Sequence, residues 1–325
     1  MTAPGRVTGF AALLFALSTP GACQSRAEWL RAARWGVFMH YLADSPDVPA
    51  EEWNRRINEF DVAGLADQLE SMKAGYFVIT LGQNSGHYLS PNKTYDRLVG
   101  ISPSKCSTRD LVADLYPELE RRGIQLMVYL PSGAPDQDKV AMEKLSWRRG
   151  AFRNAEFQQK WETVIAEWSA RWGTRVRGWW FDGCYWPNAM YRSKKPPNFT
   201  SFAAAARKGS AGSIVAFNRG VVMPIHSQSE EEDYTAGETD DPTTVTNAEF
   251  GRDGAQFHML SFLGTRWSGG PARFSEDQVR TITKRLVESG GAVTWDVPHD
   301  KRGLIEEPFI GQLRAIGMAV SGIAR

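Results

Sequence analysis

Short apolar runs alternate with amphipathic stretches along most of the chain, the pattern of repeated βα units feeding a parallel sheet. Gly36-Val37-Phe38-Met39-His40-Tyr41 predicts a first strand and Tyr76-Phe77-Val78-Ile79-Thr80-Leu81 a second. Between them, Val62 to Met72 predicts a helix with apolar residues three and four apart. Thr108 predicts the N-cap of a helix through Leu119, which Gly123 ends before a third strand, Ile124 to Leu130. Phe157 to Trp172 reads as an amphipathic helix leading into a fourth strand, Arg177-Gly178-Trp179-Trp180-Phe181-Asp182-Gly183, and Ser213 to Asn218 reads as the fifth. Arg219 to Asp253 is acidic and turn-rich, with no clear sixth strand, whereas His258 to Leu263 predicts the seventh. Ser275 caps a helix to Glu288, Gly290-Gly291 breaks it, Ala292 to Val297 predicts the last strand, and a helix from about Glu307 to Val320 follows. The expected fold is α/β: one domain over residues 27–325, a single (β/α)8 TIM barrel irregular around strand six, with no C-terminal β-sandwich after it.

Composition narrows the partners. The 325 residues are 42% hydrophobic and 23% charged, an ordinary globular balance. With 38 basic against 37 acidic residues and no basic stripe, the chain offers nothing to nucleic acid. Twelve tryptophans suit a cleft that stacks sugar rings, although most tryptophans in a domain of this size belong to its core. Arg6, the apolar run Phe10 to Leu17 and small residues up to Cys23 have the order of a signal peptide over residues 1–23. The run is too short for a membrane span, so the expectation is a secreted or periplasmic protein, with a lipid anchor on Cys23 as the variant of that fate. Cys106 and Cys184 make no disulfide framework, and Cys184 reads either as a small buried thiol or as a pocket residue beside Gly183. Asn92-Lys93-Thr94 and Asn198-Phe199-Thr200 match the glycosylation pattern.

Polar residues at the C-terminal ends of barrel strands face one pocket, so they can be taken together. They are His40 and Tyr41, then Gln83, Asn84 and His87, then Tyr129, Asp182, Asn218 and Arg219. Many neutral donors and acceptors with a few charges suit a hydroxyl-rich ligand. Trp179, Trp180 and Trp186 are candidates to stack on it, although Trp179 or Trp180 should face a helix layer because side chains alternate along a strand. His40 and His87 lack the paired spacing of a metal motif, no glycine-rich phosphate loop is present, and no Gly-x-Ser-x-Gly elbow occurs. Neither metal nor cofactor is expected. Asp182 reads either as a catalytic carboxylate or as a cap for the turn that follows. Retaining glycoside hydrolysis needs a second carboxyl close to the first, and the stretch Glu230 to Asp241 supplies many, of which Glu230, Glu231 and Glu232 are expected to be a solvated face.

With these residues in place, the chain resembles the catalytic barrel of the α-L-fucosidases of glycoside hydrolase family twenty-nine over nearly its whole length. Trp35 to Tyr41 is similar to the family's Phe-Gly-Leu-Phe-Ile-His-Trp opening, whose histidine contacts the sugar. Phe60-Asp61 followed by Ala74-Gly75-Tyr76 resembles its first helix and second strand, and Gly290-Gly291, Pro298 and Gly303 follow its closing pattern. Trp180-Phe181-Asp182-Gly183 looks like the segment carrying the nucleophile, and Asp233-Tyr234-Thr235-Ala236-Gly237-Glu238 resembles the Asp-Tyr-x-Thr-Pro-Glu stretch, which makes Glu238 the acid/base candidate. One segment departs: where typical members read Lys-His-His-Asp-Gly, this chain reads Gly82-Gln83-Asn84-Ser85-Gly86. The resemblance implies a retaining exo-glycosidase acting on terminal α-L-fucosyl residues of glycans, with Asp182 as nucleophile. The same machinery on a different terminal sugar, and a non-catalytic carbohydrate-binding barrel, stand as alternatives.

Overall fold

The computed structural model describes residues 26–148, 153–185, 191–248 and 254–323. The expected signal peptide with Cys23, and the stacking candidate Trp186, lie outside them. The elements run α1 (Glu28–Ala33), β1 (Trp35–Met39), α2 (Ala50–Asn58), α3 (Val62–Ser71), β2 (Tyr76–Thr80), α4 (Lys93–Val99), α5 (Leu111–Glu120) and β3 (Gln125–Pro131). They continue with α6 (Lys139–Lys144), α7 (Ala155–Trp172), β4 (Gly178–Asp182), α8 (Phe199–Ala206), β5 (Ile214–Phe217) and β6 (His258–Phe262). The hairpin strands β7 (Gly264–Arg266) and β8 (Gly269–Ala272), then α9 (Glu276–Glu288), β9 (Ala292–Asp296) and α10 (Phe309–Ser321), complete the order. No helix among the described residues is long and apolar enough to cross a membrane.

Seven strands form one curled parallel sheet in the order β5-β4-β3-β2-β1-β9-β6. Its strands are buried and largely apolar because both faces are covered. On the concave side Phe38, Tyr76, Met127, Tyr129, Trp180, Ile214 and Leu260 make one cluster, and Leu30 of α1 packs into it. On the convex side Val37, Phe77, Val128, Trp179 and Phe181 meet the helices in a second, larger cluster. Alternation along β4 therefore sends Trp179 outward, 5.9 Å from the Trp172 ring of α7, and Trp180 inward, stacked 5.3 Å from Tyr129.

Between the sheet edges β5 and β6 runs the segment from Glu232 to Thr239, which bonds to both. Asp233 N donates to Val215 O at 3.0 Å, while Thr235 N and Thr239 N donate to Gln256 O and Leu260 O, each at 3.0 Å. Tyr234 and Ala236 join the concave cluster. This is the stretch without a strand signal. Its ladder consists of single bridges and side-chain bonds, such as Thr235 Oγ1 with the His258 carbonyl at 2.7 Å, rather than a regular run.

Several local expectations change. Thr108 does not cap α5; it bonds Asn54, and Asp110, two residues nearer the helix, accepts from Ala113 N at 3.0 Å instead. Asn92 is wholly buried as the cap of α4, with its amide donating to Val164 O at 3.0 Å, so it is no glycan acceptor in the folded chain. Asn198 caps α8 through a reciprocal box with Ser201. Glu232 is buried rather than solvated, because it receives the backbone N–H groups of Phe217, Gln228 and Ser229 at 3.0, 2.6 and 2.9 Å. Cys184 is a buried thiol.

Candidate active site

At the C-terminal ends of the strands lies a cavity of about 300 Å³. Asp182 ends β4 on the concave side, two residues beyond Trp180, and its carboxylate collects four donors. Oδ2 accepts from the Tyr129 hydroxyl at 2.7 Å; Oδ1 accepts from Gly183 N at 2.7 Å, Asn218 Nδ2 at 2.8 Å and the Tyr185 hydroxyl at 3.3 Å. This donor set suits an anion. Burial and the charge of Asp182 push the Tyr129 phenol well above its ordinary range, which keeps it a donor. Gln83 Nε2 donates in turn to the Tyr129 oxygen at 2.7 Å.

Asn218, one residue past β5, uses the same amide nitrogen for a second bond, 2.5 Å to Glu238 Oε2. The two bonds laid end to end bound the gap between the carboxylates. Burial raises the Glu238 carboxyl to about 7, against a downward pull from the Asn218 amide and with further upward pushes from Asp182 and Asp240. One carboxyl is thus held among donors while its neighbour holds its proton well above the ordinary carboxylate range, the division of labour that acid-assisted displacement needs.

His40 follows β1 and is fixed from below. Its Nδ1 lies 2.7 Å from Asp296 Oδ1, a fully buried carboxylate at the end of β9, so Nδ1 carries the proton and Nε2 is the ring's remaining polar atom. Asp296 Oδ2 accepts from Ser268 N at 2.5 Å in the β7–β8 turn, where Ser268 takes a φ of 50°. Trp267 in that turn covers the cavity 5.7 Å from the His40 ring. Phe38, Leu42, Leu260 and Trp180 supply its apolar wall, and the Trp180 indole is anchored to Ala236 O at 2.9 Å.

Of the residues expected from sequence, His40, Gln83, Tyr129, Trp180, Asp182 and Glu238 line this cavity, Asn218 joins its two carboxylates, and Asn84 lines an adjoining one. Three others point elsewhere. The Tyr41 hydroxyl donates to Lys301 O at 2.7 Å beneath the site. His87 is buried against Trp53 with Nε2 2.9 Å from Val48 O, and burial pushes its pKa down. Arg219 turns to His226. Sequence reasoning missed Asp296, Trp267 and Ser268. Asp296 carried a usable signal, since it ends an apolar strand just as Asp182 does.

Two acids sharing one donor at the strand ends of a parallel α/β sheet are an arrangement that glycoside hydrolysis can use. The Alpha-L-fucosidase family model matches residues 50–321, and the chain belongs to that family. No curated protein matches the chain in sequence. Among solved structures, an endo-fucoidan hydrolase of glycoside hydrolase family 107 is similar at a TM-score of 0.72 and 16% identity, over 92% of this chain and 54% of that one. A second of that family gives 0.69 and 15%, over 90% of this chain and 63% of that one. An α-L-fucosidase of glycoside hydrolase family 29 from Bacteroides thetaiotaomicron gives 0.60 and 17%, over 91% and 73%. The chain thus spans between about half and two thirds of these two fucoidan hydrolases.

Proposed function

We propose that the protein is a retaining glycosidase for α-L-fucosyl linkages, working by double displacement on a (β/α)8 barrel whose sixth position is the irregular stretch from Glu232 to Thr239. The observation that carries this reading is the single Asn218 nitrogen bonded to Asp182 and Glu238 at 2.8 and 2.5 Å. Carboxyls that near match the separation of about 5–5.5 Å used for retention, not the roughly 6.5–9.5 Å that leaves room for a water in inversion. An Asp182 oxygen attacks the anomeric carbon as the glycosidic bond breaks, and Glu238 gives its proton to the departing oxygen. The resulting glycosyl ester on Asp182 is then cleaved by water, whose proton returns to Glu238. A covalent intermediate has been trapped in the similar Bacteroides enzyme.

His40, Gln83 and Trp180 hold the sugar in this scheme, with Trp180 and Trp267 giving it apolar surface. A catalytically empty sugar-binding barrel fits less well, since such a protein has no need of a second carboxyl beside Asp182. Residues 1–23 support export of the enzyme. The test is hydrolysis of p-nitrophenyl α-L-fucoside by the parent and by Asp182→Ala, with the anomer released first followed by NMR. Turnover with retained configuration that drops about a thousandfold or more in the variant supports the reading; inverted product, or no turnover across a panel of glycosides, overturns it.

A further inference from the structure

A second cavity of about 420 Å³ adjoins the first, and the two share His40, Leu42, Gln83 and Ser268 as a common wall. Asn84, Ser85, Gln137 and His299 line it besides. Gln83, Asn84 and Ser85 are consecutive residues of the loop after β2, and Gln83 also bonds Tyr129 in the first cavity. That loop therefore joins the second cavity to the catalytic one.

Position decides which part of a substrate that opening receives. Asp182, Asn218 and Glu238 come from β4, β5 and the segment before β6, and none of them lines the second cavity. A leaving group protonated by Glu238 must depart on that side. The second cavity is lined instead from the loops after β1, β2, β3 and β9 and the β7–β8 turn, so a unit that fills it is one attached to a ring hydroxyl of the bound sugar rather than to its anomeric carbon. A pocket closed there accepts only a chain end; an open one accepts a chain that continues.

We propose that this cavity is a subsite for a further sugar unit on the non-reducing side, so that the enzyme cleaves within α-L-fucosyl chains and not only at their ends. The inference rests on the glycosidase reading above. The wall chemistry names the unit. Among the described residues the lining holds three amides, two hydroxyls and two imidazoles but no lysine or arginine, and its one carboxylate, Asp44, sits at 2.7 Å from Arg56. Neutral hydroxyls find partners there; a sulfate ester finds no cationic side chain. Asp296 sets the dividing wall, since it holds both His40 and Ser268.

The experiment follows reducing-end-labelled, unsulfated α-L-fuco-tetrasaccharide and p-nitrophenyl α-L-fucoside with the intact protein. Expected are labelled products of more than one length from the earliest times. Loss of one fucose at a time from the non-reducing end overturns the inference and leaves the glycosidase reading standing; no hydrolysis of either compound overturns both. Faster cleavage of a sulfated tetrasaccharide overturns the neutral assignment. Gln137→Trp gives a second arm, because that side chain is exposed and only its backbone N bonds to Asn84 O. With the thermal midpoint unchanged, the ratio of tetrasaccharide to p-nitrophenyl fucoside kcat/KM should fall at least tenfold; an unaltered ratio overturns the proposal.

Discussion

Asp182 and Glu238 accept hydrogen bonds from one nitrogen, the side-chain amide of Asn218, at 2.8 and 2.5 Å. The shared donor sets their spacing and couples their charges, because the amide favours whichever carboxyl is ionised. Asn218→Ala removes both bonds. Hydrogen bonds to charged groups are worth about 1.5–3 kcal/mol, so kcat/KM for a fucoside should fall about 10–100-fold. The same bond pulls the Glu238 carboxyl down. Its loss should move the alkaline limb of the pH profile upward, and a limb moving down would contradict the assignment.

In the proposed mechanism Glu238 must be protonated to assist departure, and burial raises its carboxyl to about 7. Parent kcat/KM should therefore decline as pH rises through about 7. Glu238→Gln should cost about 10²–10⁴-fold with aglycones that need protonation, and it should remove that limb.

The same shift predicts a stability change of definite sign. A carboxyl raised from its ordinary 4.5 to about 7 binds its proton more tightly in the fold. Its contribution to stability is fully present below the unfolded value and is lost as pH rises through the folded one. Glu238→Gln should melt above the parent at pH 8 and lose that advantage at pH 4. Equal midpoints at both pH values would show that burial does not hold the proton.

Asp296 is wholly buried and satisfies His40 Nδ1 and Ser268 N at once. Asp296→Ala strands both donors, at a cost of about 1–3 kcal/mol in denaturant unfolding. Fucoside turnover should drop as well, because the His40 ring and the Trp267 turn lose their common anchor.

Gly237 precedes the acid candidate with a φ of 68°, and a Cβ there would sit 1.9 Å from the His258 carbonyl oxygen. Gly237→Ala combines left-handed backbone with that clash, so it should destabilise by about 1–3 kcal/mol. It should also displace Glu238 and reduce kcat more than KM rises.

Much of this architecture was legible in the chain itself. Apolar runs marked seven strands of the curled sheet to within a few residues, because a strand covered on both faces must be apolar wherever it lies. Ser275 announced α9 by its own capping chemistry. Alternation along β4 put Trp179 and Trp180 on opposite faces, the structure decided that Trp180 faces the cavity, and the family resemblance singled out Glu238 from an acidic stretch. The rest depended on residues far apart. Glu232 to Thr239 carries no strand period, since single bridges and side-chain bonds hold it to β5 and β6. Nothing local distinguishes solvated Glu230 from buried Glu232, or a histidine that faces the cavity from one turned to Val48. His40 meets Asp296 across 256 positions of sequence. Periodicity records which face of an element avoids water, and that is settled within a few residues. A site is made where separate elements converge, and only the closing of the sheet brings its donors and carboxylates within hydrogen-bonding reach.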